Sequence, residues 1–152
     1  MVFILTPGVV LWSVAIFFRR LAPVAREGMG DLGKLAVTVA LTGSLVMMIS
    51  GYQDASGPEW WGRQPLWVAI TNVLIVSAFY MMVASAVKIR ITSTVRHPQL
   101  TAIKAWSVSH MLVNGDLPSL ILFGGLLAWA VVSVILINRR DDKEALTATD
   151  AG

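Results

Sequence analysis

The sequence predicts an all-α integral membrane protein of five transmembrane helices, with its N-terminus outside and its C-terminus in the cytoplasm. Three observations carry this. Hydrophobic residues make up 56% of the 152 positions and charged residues only 14%, with a mean hydropathy of +0.71. That composition is too apolar for a soluble domain of this length. The apolar residues fall in long runs without the two-residue alternation of barrel strands, so the backbone must satisfy its own hydrogen bonds as helices. The Lys and Arg residues gather at alternate ends of these runs.

The first segment, Val2 to Phe18, is about 17 residues, the lower limit for a span. Pro7 and Gly8 lie near its start and Arg19-Arg20 at its end. No charge precedes it as in a signal peptide, so it is expected to be a retained helix. A link from Leu21 to Gly33 carries Pro23, Gly28, Gly30 and Gly33. The second segment runs from Lys34 to Ser50 and stops at Gly51, and Gly43 and Ser44 are expected to allow a close helix approach.

The loop from Tyr52 to Pro65 holds Asp54, Gly57, Pro58, Trp60, Trp61 and Arg63, with Trp67 just beyond. Tryptophans between two apolar runs suit an interface belt, and a Trp-rich binding mouth is the alternative. The third segment, Leu66 to Val87, ends at Lys88 and Arg90. The fourth, Gln99 to Val113, reaches only about 22 Å against a hydrocarbon core of roughly 30 Å, so its ends need cover from protein or a thinned bilayer. The fifth, Leu117 to Ile137, ends at Arg139-Arg140. Residues 1–140 thus form one membrane domain, and 141–152, mixed in charge and without apolar periodicity, are expected to be a disordered cytoplasmic tail.

Five crossings put all of the twelve Lys and Arg except Arg63 on one side. By the positive-inside rule that side is the cytoplasm. The net charge of +3 forms no patch or motif for nucleic acid. There is no cysteine, which removes disulfides, thiolate ligands and cysteine nucleophiles.

Polar chemistry concentrates between Val95 and Gly125. Trp106, His110 and Asn114 recur every four residues on the fourth segment, along one stripe that should face the bundle. An ionisable side chain at membrane depth is a functional hypothesis by default, and neutral imidazole is a common haem ligand. The plainer role for His110 is an interhelical hydrogen bond. Arg96 and His97, in a turn before Pro98, are candidates for a phosphate or carboxylate headgroup, with interfacial snorkelling as the alternative. Asp116 is placed to cap the fifth segment, with Pro118 in its first turn. Met47-Met48 and Met81-Met82 suit core filling, and Gly124-Gly125 close packing.

The run RHPQLT, then KAWSVSHMLVNGDLPSLILFGGLLAWAVV, then a closing Arg pair, from Arg96 to Arg140, resembles the NnrU family. Arg19-Arg20-Leu21-Ala22-Pro23 is similar to a second, looser pattern of that family. The resemblance implies a multi-helix bacterial inner-membrane protein linked to nitrogen-oxide metabolism. The family is similar in turn to the cis-zeta-carotene isomerases, which implies haem b, with His110 as the metal ligand, and isomerase-like chemistry on a lipophilic substrate such as a carotenoid. Two departures stand out: Ser107 occupies the position of those enzymes' cysteine, and no histidine precedes His97. A second axial ligand would then come from elsewhere, and Met47 or Met48 lies at a matching depth, about 20 Å along its helix against about 16 Å for His110. The Arg-His-Pro turn is also similar to that of isoprenylcysteine and phospholipid methyltransferases, but Leu100 and Ala102 replace their Tyr and Gly. The alternative function is a non-catalytic subunit or assembly factor of a larger respiratory or photosynthetic membrane complex.

Overall fold

The computed structural model describes residues 2–150 and is all-helical apart from one isolated bridge among them. Seven helices follow in order: α1 (Val2–Leu21), α2 (Pro23–Gly28), α3 (Gly30–Gln53), α4 (Pro65–Val87), α5 (Ile91–Thr94), α6 (Pro98–Val113) and α7 (Leu117–Asp150). Four of them, α1, α3, α4 and α7, are long and apolar enough to cross a membrane. α6, with 16 residues, is the short one. The protein is a multi-pass membrane protein by the length and composition of these helices.

The boundaries follow local chemistry. The link after α1 contains a helix of its own, α2, started by Pro23 at its first position and ended before Gly30, whose φ of +59° makes the turn into α3. α3 therefore begins earlier and ends later than the apolar run from Lys34 to Ser50. α4 stops at Lys88, which takes a left-handed conformation and donates its N–H to the Ala84 carbonyl. Pro98 opens α6 after His97. Asp116 opens α7, accepting from the Ser119 N–H at 3.3 Å as the capping expectation requires.

The tail differs from expectation: instead of a disordered segment from Asp141, α7 continues as helix to Asp150, exposed at 141–145 and 147–149. Extending a helix that already exists avoids the nucleation cost, and the run after Arg140 holds neither Gly nor Pro before Gly152. Arg140 Nε donates to Glu144 Oε1 at 2.8 Å, one turn along.

The long helices pack in the spatial order α3, α1, α7, α6, α4, with α7 central and α3 and α4 outermost. Close approach of α1 and α3 uses Gly51, not Gly43: a Cβ on Gly51 would lie 2.7 Å from the Leu5 nitrogen, whereas Gly43 faces open space and only Ser44 is buried. Of the glycine pair expected to pack closely, Gly125 of α7 meets Val9 of α1, whereas Gly124 faces open space. One cluster, Leu5, Val9 and Met48, joins α1 and α3, with Ile121 and Leu122 against it. Another, Leu100, Trp129 and Ala130, joins α6 and α7, with Trp12, Ile16 and Phe17 of α1 against it.

The two ends of the bundle are held differently. At one end the Trp-rich loop straps onto the turn between α6 and α7. Trp60 N–H donates to Gly115 O at 2.8 Å, Gly115 N–H to Trp61 O at 3.1 Å and Leu117 N–H to Pro58 O at 3.1 Å. Trp61 Nε1 donates to Met111 O at 2.9 Å, and its indole lies so close over Gly115 that a Cβ there would overlap the ring. At the other end Arg96 meets Asp141 at 3.0 Å and His97 Nε2 meets Asn138 Oδ1 at 2.9 Å. The short α6 thus carries the chain from one end to the other between these two sets of contacts.

Candidate functional site

Where α6 faces α7, four aromatic rings form a continuous cluster. His110 lies flat on Phe123 with centroids 4.5 Å apart and planes 6° from parallel. Trp106, one turn before it on α6, stands edge-on to His110 at 4.8 Å and to Phe123 at 5.2 Å. Tyr52 from α3 reaches Phe123 at 6.0 Å, and its hydroxyl shares a 2.9 Å hydrogen bond with Ser119. The spacing of four that aligned Trp106 with His110 does place them together. Asn114 has another job: it caps α6, its Nδ2 donating to His110 O at 3.0 Å. Phe123 and Tyr52 were missed because they come from other helices. Their one signal is position, Phe123 beside the glycine pair and Tyr52 beside Gly51.

Trp106 also walls a nearly apolar groove of about 240 Å³ between α4 and α6, with Ala78, Phe79, Met82, Ala102 and Ile103. A second apolar recess, about 450 Å³, is lined by Trp61, Trp67, Val108, Met111, Leu112 and Leu127. The Trp-rich loop therefore walls a recess as well as latching the turn. Thr71 Oγ1 of α4 donates to Ser109 O of α6 at 3.0 Å, closing the helix pair beside the groove.

The methionines expected to join His110 do not meet it. Met48 is packed with Leu5 and Val9, and Gly8 of α1 lies against both Met47 and Met48, so the pair belongs to the interface of α1 with α3. His110 lies on the far side of Phe123, between α6 and α7. The structure thus groups the methionines with α1 and His110 with Phe123 of α7. Ser107 is fully buried on α6 with no partner for its hydroxyl among the described residues.

Arg96 and His97 both have partners within the chain, Asp141 and Asn138. Together with Arg20, Ser85, Gln99 and Ile137 they line a cleft of about 260 Å³ at that end.

A family model described as NnrU protein matches residues 4–151. No curated protein and no solved structure matches the chain.

Proposed function

The chain belongs to the NnrU family, and from that premise we propose an inner-membrane protein that binds an elongated lipophilic molecule in the groove between α4 and α6. One observation supports this above the others: the groove's apolar wall is shared with Trp106, which abuts His110. Trp106 offers a ring face to a conjugated or isoprenoid chain, and His110 is the nearest group able to exchange a proton beside it. The proposal includes five crossings, α6 among them, with the N-terminus outside and the basic end in the cytoplasm. That topology is supported by Arg19, Arg20, Lys88, Arg90, Arg139 and Arg140 ending α1, α4 and the apolar part of α7.

The probe for the groove is cis-parinaric acid, a conjugated tetraene whose fluorescence rises on apolar burial, titrated into the full-length protein in detergent. Met82→Trp, which fills the groove from a half-exposed α4 position, should weaken binding about tenfold, a loss of about 1.4 kcal/mol. Equal binding by wild type and variant would sink the proposal. Haem b on His110 alone is read from the same preparation: a Soret band lost in His110→Ala supports it, and its absence after haem-replete expression removes it.

A second function, as a subunit of a larger membrane complex, is favoured by α4, the least buried of the long helices. Val73, Val76, Phe79, Val83 and Val87 are exposed along it and offer a face to another apolar helix as readily as to lipid. Stoichiometric recovery of a partner after crosslinking in native membranes, abolished by bulky substitutions at Val76 and Val83, would put this function first.

A further inference from the structure

Hydroxyls on the long helices are, with few exceptions, satisfied locally. Ser13, Thr38, Ser44, Ser50, Ser77 and Ser109 each donate to a carbonyl three or four residues back, as polar side chains in an apolar helix should. On the face of α7 turned to α1 this fails twice, one turn apart. Ser133 Oγ and Trp129 Nε1, in side chains 1% and 5% exposed, have no partner among the described residues. The guanidinium of Arg20 lies over the same Trp129 ring, with Cζ 5.9 Å from its centroid, and enters no ion pair among the described residues. Three donors gather here, and none of them has a bonded acceptor among the described residues.

Arg20 and Ser133 border a cavity of about 430 Å³ between α1 and α7, at the end where the basic residues lie. Phe17, Leu136 and Ile137 form its apolar wall, and Arg140, Asp141 and Glu144 its rim. The rim charges are already matched, Arg140 to Glu144 and Asp141 to Arg96. Among the described residues lining the cavity, Arg20 is left as the cation without an ion-pair partner, above an apolar slot with a buried hydroxyl in it.

We propose that this cavity seats one membrane phospholipid. Its phosphodiester accepts from Arg20, a glycerol-ester oxygen accepts from Ser133, and an acyl chain runs along Phe17, Leu136 and Ile137. The charge match is one to one: a phosphodiester carries a single negative charge and Arg20 a single positive one. The depths also match, since Ser133 sits two helical turns, about 10 Å, inside Arg140, and lipid ester groups lie inward of their phosphates. Basic pockets between transmembrane helices at the cytoplasmic face are general sites for phospholipid headgroups. The site is separate from the groove between α4 and α6 and does not depend on it.

The test is native mass spectrometry of the delipidated full-length protein titrated with dioleoylphosphatidylglycerol, with dioleoylglycerol, which lacks the phosphate, and with inorganic phosphate. Wild type should hold one phospholipid per chain and bind dioleoylglycerol and phosphate far more weakly. Arg20→Gln should weaken the phospholipid about tenfold, the scale of a lost charge-assisted hydrogen bond, and Ser133→Ala about threefold. Arg139→Gln, outside the cavity, should change nothing, and circular dichroism should be the same for all four proteins. Unchanged phospholipid affinity in Arg20→Gln, or equal affinity for dioleoylglycerol, overturns the proposal. Displacement of the lipid by millimolar phosphate overturns it in favour of a free-anion site. If Arg20→Gln fails to fold, Ser133→Ala decides, and wild-type retention by that variant rejects the site.

Discussion

Between α1 and α3 the chain brings backbone against backbone, with Gly8 under Met47 and Met48 and Gly51 under Leu5. Between α6 and α7 it brings ring against ring, with His110 and Trp106 on Phe123. In lipid no hydrophobic force drives helices together, so each interface must rely on the contacts it makes. An interface of glycines is broken by adding atoms and hardly touched by removing side chains. An interface of rings is broken by removing them. The first design allows little adjustment and suits a scaffold; the second leaves side chains that can be repositioned around a ligand.

The strongest way to break the comparison is Gly51→Leu, which forces atoms into the Leu5 backbone. It should cost about 3 kcal/mol, at the upper end for overpacking because backbone cannot step aside, read by SDS-driven unfolding from mixed micelles. A smaller loss than in the next variant would mean that the two helices are less tightly opposed than Gly51 implies. Phe123→Ala should cost on the order of 2 kcal/mol, from ring pairs worth about 0.5–1.5 kcal/mol each. It should also weaken parinaric acid binding, because Trp106 and His110 lose their common support, whereas Gly51→Leu at a stability-corrected concentration should not. The smallest effect belongs to Asp116→Ala, a lost helix cap worth about 1 kcal/mol, largely restored in Asp116→Asn. A loss of 3 kcal/mol there would show that Asp116 also holds the strap.

Most of the helices were legible because membrane spans announce themselves by length and by the charges at their ends. Asp116 as a cap was legible too, since capping is local and needs only the residues from Asn114 to Pro118. The expectations that missed concern either continuity or distance. The tail lacks apolar periodicity, yet it inherits a helix from α7, and periodicity is silent about propagation. Met47 and Met48 share a depth with His110 along their helices, but depth does not say which neighbour a helix has, and α1 stands beside α3. Phe123, thirteen residues from His110, and the Trp61 to Met111 hydrogen bond depend on that same lateral order. No spacing within a single segment encodes it.

The backbone strap from residues 58 to 61 onto residues 115 to 117 has a mechanical consequence. Four main-chain and indole hydrogen bonds tie the loop before α4 to the hairpin of α6 and α7, while the opposite end is joined by exposed side chains, Arg96 to Asp141 foremost. Such ion pairs are weak and yield to salt, whereas main-chain hydrogen bonds do not. The strapped end is therefore the fixed one, and the start of α6 should loosen from α7 at the basic end first when salt rises.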